Sequence, residues 1–393
     1  MIENLSPSDV QNLKQDIINY SKKIGIDKIG FTSADPFGEL KQRLIRHRDL
    51  GYESGFEEDD LEKRTTPKKI LPEAESIIAI ALAYPSKMDQ PPESKKDSYR
   101  GVLCRASWGL DYHLVLRNKL ERLEEYIRSK VPSVVIQSMV DTGELSDRAV
   151  AERAGIGWSG KNTSIITPEF GSWVYLGEML TSIPFEPDQP ITESCGTCTK
   201  CIDACPTQAI VQGGQLDSNR CIAFLTQVKD FVPEEYRDKI GNRLYGCDTC
   251  QTICPENRKK NFTHHPEMEP EPEVVKPLLK PILQMSKREF KEKFGSTSSA
   301  WRGKKPIQRN AVLALGHFKD KSAIPDLVEL LFHDPRPVLR GTAAWALAKI
   351  GGEKAHKSLQ EAKDKEKDQK AYQEIINALE RCEKRIREEN VLL

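Results

Sequence analysis

Apolar positions in the first 185 residues change their period repeatedly, and each change marks a new element. SPSDVQNLKQDIINYSKKIG keeps its apolar residues on one helical face, opens on a Ser cap and closes at Gly25. DKIGFTSA follows as a short strand, and SIIAIALAY, residues 76 to 84, is an unbroken apolar run of buried-strand length, too short to cross a bilayer. DYHLVLRNKLERLEEYIRSK is a long helix, SVVIQSMVDT a third strand ending on a carboxylate, RAVAERAGIG a helix and GSWVYLGEMLTS another strand. This alternation predicts an α/β domain over residues 1–185, a central sheet covered by helices. Ligands in such folds gather at strand ends, where Asp141 stands.

A second domain is expected over residues 186–262, entered through PFEPDQPI and rich in cysteine. The linker HHPEMEPEPEVVKP comes next; its prolines exclude a regular helix or central strand, and its His264 and His265 read as solvated. Residues 263–393 comprise this linker and a helical remainder with an internal repeat. RNAVLALG begins at Arg309 and RGTAAWALAKIG at Arg340, 31 residues on, while AIPDLVELL from Ala323 and AHKSLQEA from Ala355 are 32 apart. Paired helices at this interval predict a short HEAT-like solenoid whose Ala and Leu stripes form its core. Such repeats present a surface to a large partner.

Eight of the ten cysteines adopt a spacing that carries chemistry. Cys195-x2-Cys198-x2-Cys201-x3-Cys205-Pro206 is the bacterial two-cluster ferredoxin pattern, in which the fourth thiolate crosses to the other cluster. Cys247-x2-Cys250-x3-Cys254-Pro255 repeats it without its first cysteine, whose place is taken by Leu244, and Cys221 is the unassigned cysteine nearby. Two sets of four result. Cys195, Cys198, Cys201 and Cys254 would hold one [4Fe-4S] cluster, and Cys205, Cys221, Cys247 and Cys250 the other, leaving Cys104 and Cys382 outside. Zinc also suits Cys-x2-Cys pairs, but does not explain three cysteines at steps of three followed by Cys-Pro. Disulfides would need an oxidising compartment, and the amphipathic N-terminal stretch does not read as a signal peptide. A cytoplasmic protein without a membrane segment is expected.

Lys plus Arg and Asp plus Glu each number 59, so the formal net charge is zero and gives no hint of a nucleic-acid partner. Neither GxGxxG after a strand nor GxxxxGK[ST] occurs, and the glycine-rich GIGWSGKNT at 155–163 shows only that backbone approaches something closely.

SWGLDYH at 107–113, VDTGELSDRAVAERAGIGWSGKN at 140–162, the Cys-Pro runs and the HEAT-like tail together resemble the epoxyqueuosine reductases. The resemblance runs from about residue 10 to about 385, in the same order of parts. One departure is visible: after VDTG the family commonly has a proline and apolar residues before a glutamate, where this chain has Glu144, Leu145, Ser146 and Asp147. The resemblance implies a monomeric cobalamin enzyme of tRNA queuosine biosynthesis, related to reductive dehalogenases. Its cobalamin would lie between the N-terminal domain and the clusters. Electrons from an unidentified donor would pass through both clusters to cobalt, and the reduced cofactor would open the epoxide of epoxyqueuosine at the tRNA wobble position. Two electrons and two protons give the cyclopentene and water.

Breaking that C–O bond leaves an alkoxide, whose expulsion as water needs a proton donor within hydrogen-bond reach. An aspartic acid titrates at about 4, so corrin and substrate must desolvate it if it is to stay protonated near neutral pH. Asp141 matches the family's acid; its other reading is an N-cap for the following helix. Arg64 and Cys104 match stretches that line the corrin in the family, against a surface ion pair and a small buried hydrophobe as the alternatives. Asp248 and Thr249, between cluster ligands, are candidates for corrin contact, and Ile165, Leu176 and Met179 for the apolar cofactor wall or for plain core. Tyr112 and His113 could reach the pocket, but read more simply as a packed tyrosine and a surface histidine. For the tRNA, RKK at 258–260, KREFKEK at 287–293 and WRGKKPIQR at 301–309 supply cations able to neutralise phosphates, the base to be reduced being turned outward into the pocket. Two rivals remain: a ferredoxin-like electron carrier, and a dehalogenase-like enzyme acting on small molecules.

Overall fold

A computed structural model describes residues 5–141 and 143–391, with side chains of the last helix described as far as Lys384. Its contacts divide the chain into two compact units. One comprises the chain up to Lys87 with Trp108–Cys221 and Asp248–Glu269; the other comprises Met88–Ser107, Ile222–Cys247 and the chain from Pro270 on. Among the described residues no helix is long and apolar enough to cross a membrane.

In the first unit Ser6 caps helix α1 (Pro7–Lys23): its hydroxyl accepts from the Asp9 backbone N–H while the Asp9 carboxylate accepts from Ser6 N–H. Gly25, at φ +77°, takes the chain out of the helix. Helix α2 (Tyr112–Lys130) packs on α1 through the stacked rings of Tyr20 and Tyr126, 4.1 Å apart. Strands β1 (Lys28–Ser33), β2 (Ser76–Ala83), β3 (Ile136–Met139) and β4 (Val174–Thr181) form a four-stranded sheet in the order β1-β2-β4-β3. All eight residues of β2 are buried, as its unbroken apolar run predicts.

Helices cover the sheet as expected, yet each of its three strand pairs is antiparallel. The strand-end rule belongs to parallel sheets. Asp141 must therefore be judged by its own contacts.

Alternation along β4 sorts its side chains. Tyr175, Gly177 and Met179 face α2, where a Cβ on Gly177 would lie 3.4 Å from both Leu116 and Leu120. Leu176, Glu178 and Leu180 face the other way, toward α3 (Asp147–Arg153) and the cluster around Val150, Ala151, Ala154 and Ile165. A small hairpin, Trp158–Ser159 paired with Ile165–Ile166, precedes β4; its strands are too short to show a period in sequence.

Of the two histidines after the cysteines, His264 is exposed as expected, but His265 is not solvated. His265 is 3% exposed, with Nε2 2.7 Å from Asp27 Oδ2, and His264 Nδ1 lies 2.8 Å from Asp27 Oδ1. Asp27 also accepts from Ala83 N–H at 2.7 Å. Burial raises the pKa of this carboxyl, but the donors gathered on it outweigh burial and hold it below the usual range. Met268 is fully buried, and Gly109, at φ +62°, has no room for a Cβ because Met268 backbone atoms would lie 2.5–2.6 Å away. The prolines do confine this stretch to single turns, Pro266–Met268 and Pro272–Val275.

The second unit contains helices α4 (Lys304–Phe318), α5 (Ile324–His333), α6 (Pro337–Ile350), α7 (Glu353–Lys363) and α8 (Gln369–Val391). The repeated segments fall as the periodicity predicts, RNAVLALG in α4 and RGTAAWALAKIG in α6, with α5 and α7 as their following helices. The Ala and Leu stripes are core.

Arg309 corrects the expected cationic patch. It is 1% exposed, its Nη1 donating to Val228 and Asp230 carbonyls and its Nη2 to the Leu225 carbonyl, all at 2.7 Å. A guanidinium spent on buried carbonyls cannot meet a phosphate. Leu244 also has a structural role here. It is fully buried, pairs beside Val102–Leu103 through Arg243–Tyr245, and gives its carbonyl to Asn310 Nδ2 at 2.7 Å. The position where the repeated cysteine pattern lacks its first thiol has become core.

Candidate active site

Among the described residues, which include all ten cysteines, none is in a disulfide. The first set of thiols gathers within the first unit. Burial pushes the Cys201 thiol up, and negative charge on Cys195 and Cys254 adds to it; Cys254 is pushed up by burial, with Cys195 and Cys198 among the further contributors. Four thiols close enough for the charge of their neighbours to raise Cys201 and Cys254 form a donor set suited to a polynuclear iron centre, which binds thiolates and takes up their charge. No three His, Cys, Asp or Glu side chains among the described residues converge tightly enough for a single ion. A four-iron cluster takes one thiolate at each of four separated irons, so it does not require such convergence.

Backbone donors complete the surroundings of the sulfurs. Lys161 N–H donates to Cys195 Sγ at 3.4 Å, and Lys161 Nζ donates to the carbonyls of Gly196 and Cys198 at 2.6 and 3.0 Å. The glycine-rich GIGWSGKNT segment is therefore a clasp on the first cysteine loop. In the second set, Ala209 N–H donates to Cys205 Sγ at 3.2 Å. Burial works against the Cys205 thiolate, but the Thr207 hydroxyl and nearby backbone N–H groups outweigh it and lower the pKa. Cys205, Cys221 and Cys250 belong to the first unit; Cys247 ends a segment of the second. Cys382, outside both sets, is buried in the helical core.

The second cysteine run is knitted to the sheet within the same unit. Ser172 N–H donates to Asn257 Oδ1 at 2.7 Å, and Asn257 Nδ2 donates to Ser172 Oγ and to the Gln251 carbonyl. Gly171, at φ +64°, could carry no Cβ, since Asn257 Oδ1 would stand 2.1 Å away. Beside this junction lies a cavity of about 270 Å³ lined by Tyr84, Arg148, Thr163, Ser164, Ile165, Ser172, Val174, Leu176 and Gln251. Its lining combines the apolar Ile165, Val174 and Leu176 with the polar Arg148, Thr163, Ser164, Ser172 and Gln251. Gln251 lies on the turn between Cys250 and Cys254. On the adjoining hairpin the buried Trp158 Nε1 and Asn162 Nδ2 have no hydrogen-bond partner among the described residues. A lining of mixed apolar and polar residues with unspent donors nearby suits the edge of a large flat ligand.

Asp141 lies two residues beyond β3 at φ +52°, a left-handed conformation that an aspartate tolerates at modest strain. It is not an N-cap, because α3 begins at Asp147 behind Ser146. Thr142 lies outside the described residues. The Asp141 side chain is 58% exposed, and its Oδ2 accepts from Tyr112 Oη at 2.7 Å. His113 Nε2 is 3.3 Å from the same oxygen, close enough for an ion pair but poorly directed for a hydrogen bond. On its other side His113 Nδ1 meets Asp111 Oδ1 at 2.7 Å. The packed tyrosine and surface histidine of the sequence reading are thus the two side chains that hold Asp141.

These contacts set the charges. The His113 imidazole beside it holds the Asp141 carboxyl below the usual range, with Tyr112 adding to the effect and partial desolvation opposing it. Burial disfavours a charged His113, yet Asp111 and Asp141 overcome it and raise its pKa to about 9. Asp147 accepts from Asp141 N–H at 3.0 Å; burial, then the Asp141 charge, pushes it up to about 6. Glu178, fully buried with neither carboxyl oxygen hydrogen-bonded in good geometry, is pushed well above the ordinary value by burial and by Asp147. Asp147, Arg148 and Glu178 were missed in the sequence. Only the charged Glu178 inside the apolar β4 run could have drawn notice.

Three family models match the chain: a 4Fe-4S double cluster binding domain over residues 194–257, "Epoxyqueuosine reductase QueG, DUF1730" over 64–142, and HEAT repeats over 302–380. The epoxyqueuosine reductase of Bacillus cereus is 66% identical over 372 residues, 95% of this chain and 98% of that protein. The chain belongs to the epoxyqueuosine reductase family. A crystal structure of an epoxyqueuosine reductase with an epoxyqueuosine-modified tRNA-Tyr stem loop is 63% identical, covers 95% of this chain and all of that one, and superposes with a TM-score of 0.94. A Bacillus subtilis epoxyqueuosine reductase, its aspartate catalytic loop swung out of the active site, superposes at 0.93 with 63% identity over 95% of this chain and 99% of that one. The family is that of an oxidoreductase, and its double cluster domain spans all eight cysteines of the two sets.

The candidate cofactor residues fall into distinct places. Ile165 and Leu176 line the cavity. Met179 is fully buried on the opposite face of the sheet, toward α2, where its placement is that of core. Arg64, in the turn Leu61–Thr65, is partly buried within electrostatic reach of Glu57 and of Arg148, which lines the cavity. Asp248 and Thr249 open the helical turn that carries Cys250. Cys104 belongs to the second unit, where its N–H donates to the Tyr245 carbonyl and its thiol fills the space a side chain on Gly246 would need.

Proposed function

We propose that this protein reduces epoxyqueuosine to queuosine in tRNA, with cobalamin as the cofactor acting on the epoxide and two [4Fe-4S] clusters supplying its electrons. When bound and reduced, cobalamin supplies the nucleophilic two-electron chemistry that opens an epoxide. Ile165 and Leu176 would pack on the corrin, while Arg148, Ser172 and Gln251 would meet its polar edge. A corrin is larger than the 270 Å³ cavity, so these residues would hold one side of it. Gln251 would join this edge to the cysteines that feed electrons.

The observation that carries the reading is the carboxylate of Asp141, held at Oδ2 by Tyr112 at 2.7 Å; that a relative has a catalytic aspartate loop supports it. Removing the epoxide oxygen as water consumes two protons, and Asp141 would deliver one to the oxygen as its C–O bond breaks. Exposure of its side chain lets a substrate reach it. The exposed cations of Lys287, Arg288 and Lys291 would meet tRNA phosphates. A simple electron carrier has no use for the Asp141 arrangement.

Anaerobic reconstitution with iron, sulfide and cobalamin, followed by assay on epoxyqueuosine-containing tRNA with a chemical reductant, tests the proposal. Conversion to queuosine is expected from the wild type and loss of at least about 100-fold from Asp141→Asn, with clusters and corrin retained. No conversion by protein carrying both clusters and corrin would overturn the substrate assignment.

A further inference from the structure

The contacts of His113 with two carboxylates extend the site beyond Asp141. Asp111 is the N-cap of α2, its carboxylate accepting from His113 N–H at 3.1 Å as well as meeting His113 Nδ1 at 2.7 Å. One cap residue therefore fixes both the helix start and the tautomer and tilt of the imidazole. The ring is stacked on Tyr112, centroids 4.1 Å apart, and Tyr112 is in turn stacked on Tyr175 at 4.6 Å. His113 Nε2 is sealed from solvent and faces Asp141 Oδ2 at 3.3 Å. An imidazole pinned at one nitrogen, with the other excluded from water and 3.3 Å from the reacting carboxylate, has the layout of a proton store.

We propose that Asp111, His113 and Asp141 form a proton relay, in which His113 acts as a positioning residue that holds on Nε2 the proton Asp141 passes to the substrate oxygen. The inference rests on the epoxide-reducing function proposed above. The Nε2–H bond breaks as an Asp141 Oδ2–H bond forms; Asp141 then gives that proton to the oxygen leaving carbon. His113 is left neutral, Nδ1–H still bonded to the Asp111 carboxylate, and regains a proton from water between turnovers. The electrons come separately, through the clusters from a reduced one-electron carrier. The relay explains how a carboxyl held below its usual range serves as an acid: its proton is stored on the neighbouring imidazolium.

Other charges around the relay act in known directions. Arg117 reaches Asp111, and Tyr112 and Arg148 stabilise the Asp141 carboxylate. Asp147 and Glu178 lie behind Asp141, coupled to its charge.

The test follows His113 in the reconstituted full-length protein by histidine-selective NMR, its resonance assigned by loss in His113→Gln, alongside single-turnover conversion of epoxyqueuosine-tRNA with excess reductant from pH 5.5 to 9.5. In the wild type His113 is expected to titrate near pH 9, and to titrate lower in Asp111→Asn and in Asp141→Asn. Conversion should fall as pH rises through that value. His113→Gln should lower the rate constant about 10- to 100-fold with tRNA affinity unchanged and abolish the fall near pH 9. An unaltered pH profile in His113→Gln, or a His113 pKa at or below the ordinary 6.5 that ignores Asp141→Asn, overturns the relay. Failure of the wild type to convert the tRNA sinks the substrate assignment instead, and the titration alone then decides whether the three groups are coupled.

Discussion

Asn257 and Ser172 exchange two hydrogen bonds, Ser172 N–H donating to Asn257 Oδ1 at 2.7 Å and Asn257 Nδ2 donating back to Ser172 Oγ at 2.8 Å. They lie 85 residues apart and join the turn after Cys254 to the loop before β4. Both groups are buried, so removing one partner strands the others. Asn257→Ala should lower the stability of the reconstituted protein by about 2–3 kcal/mol, and Ser172→Ala by about 1 kcal/mol. Anaerobic denaturant titration measures both, and iron content should fall with Asn257→Ala because the turn carrying Cys254 loses its anchor.

Tyr112 supplies Asp141 with its shortest contact, and its hydroxyl helps hold that carboxyl below the usual range. Tyr112→Phe should therefore raise the Asp141 pKa and slow conversion about 3- to 10-fold, less than Asp141→Asn does. The ring's stacking on Tyr175 survives the change, so stability should hardly move. A rate equal to wild type would limit Tyr112 to packing.

The acids behind Asp141 make stability depend on pH. Asp147 is raised to about 6 and Glu178 is raised further in direction, both by burial first. A carboxyl raised by folding binds its proton more tightly in the folded state. Stability is therefore fully present below its unfolded pKa of about 4 and is lost as pH rises through the folded value, at up to about 1.4 kcal/mol per pH unit per group. The thermal midpoint should fall between about pH 4 and 6 from Asp147, with Glu178 continuing the loss above that window. Asp147→Asn should flatten the first part and Glu178→Gln the second. A wild-type midpoint flat across both ranges would show that these carboxyls are not shifted.

Much of the framework was legible because it rests on local periodicity. The run from Ser76 to Ala83 is buried at every position, Ser6 caps the first helix, and the 31-residue offset between Arg309 and Arg340 falls on equivalent helices. Strand direction was not legible, since an antiparallel β2–β4 pair and a parallel one bury the same residues. The roles of His113, His265 and Arg309 were misread for one reason: polar side chains in polar stretches read as solvated until a distant partner is known. The partner of His265 is Asp27, 238 residues away, and those of Arg309 are carbonyls about 80 residues away. At Asp141 the sequence located the carboxylate, but not the groups that set its charge.

Cys221 stands in for the cysteine whose place Leu244 occupies. If it completes the second set, Cys221→Ser should reduce iron from about eight to about four per chain while the first set keeps its cluster. Cys382→Ala should retain about eight, because that thiol is buried in the helical core. Iron analysis with electron paramagnetic resonance of the reduced protein distinguishes the two. Full iron in Cys221→Ser would show that another group supplies the fourth ligand.

Arg309 and the cations of Lys287–Phe294 looked alike in sequence and should behave oppositely. Lys287, Arg288 and Lys291 are exposed, whereas the Arg309 guanidinium is enclosed and, among the described residues, binds carbonyls and Asn310 Oδ1. Arg309→Ala leaves those carbonyls unpaired inside the helical core, and should destabilise the second unit by about 3–5 kcal/mol. Its effect on tRNA binding, measured below its melting point, should be small and independent of salt. Replacing Lys287 and Lys291 together with Ala should leave stability nearly unchanged but weaken binding of an anticodon stem loop. Each lost phosphate contact should reduce the slope of log affinity against log salt by about 0.7–0.9. An unchanged slope in the double variant would place the tRNA phosphates elsewhere, and a reduced slope in Arg309→Ala would contradict the buried geometry of that side chain.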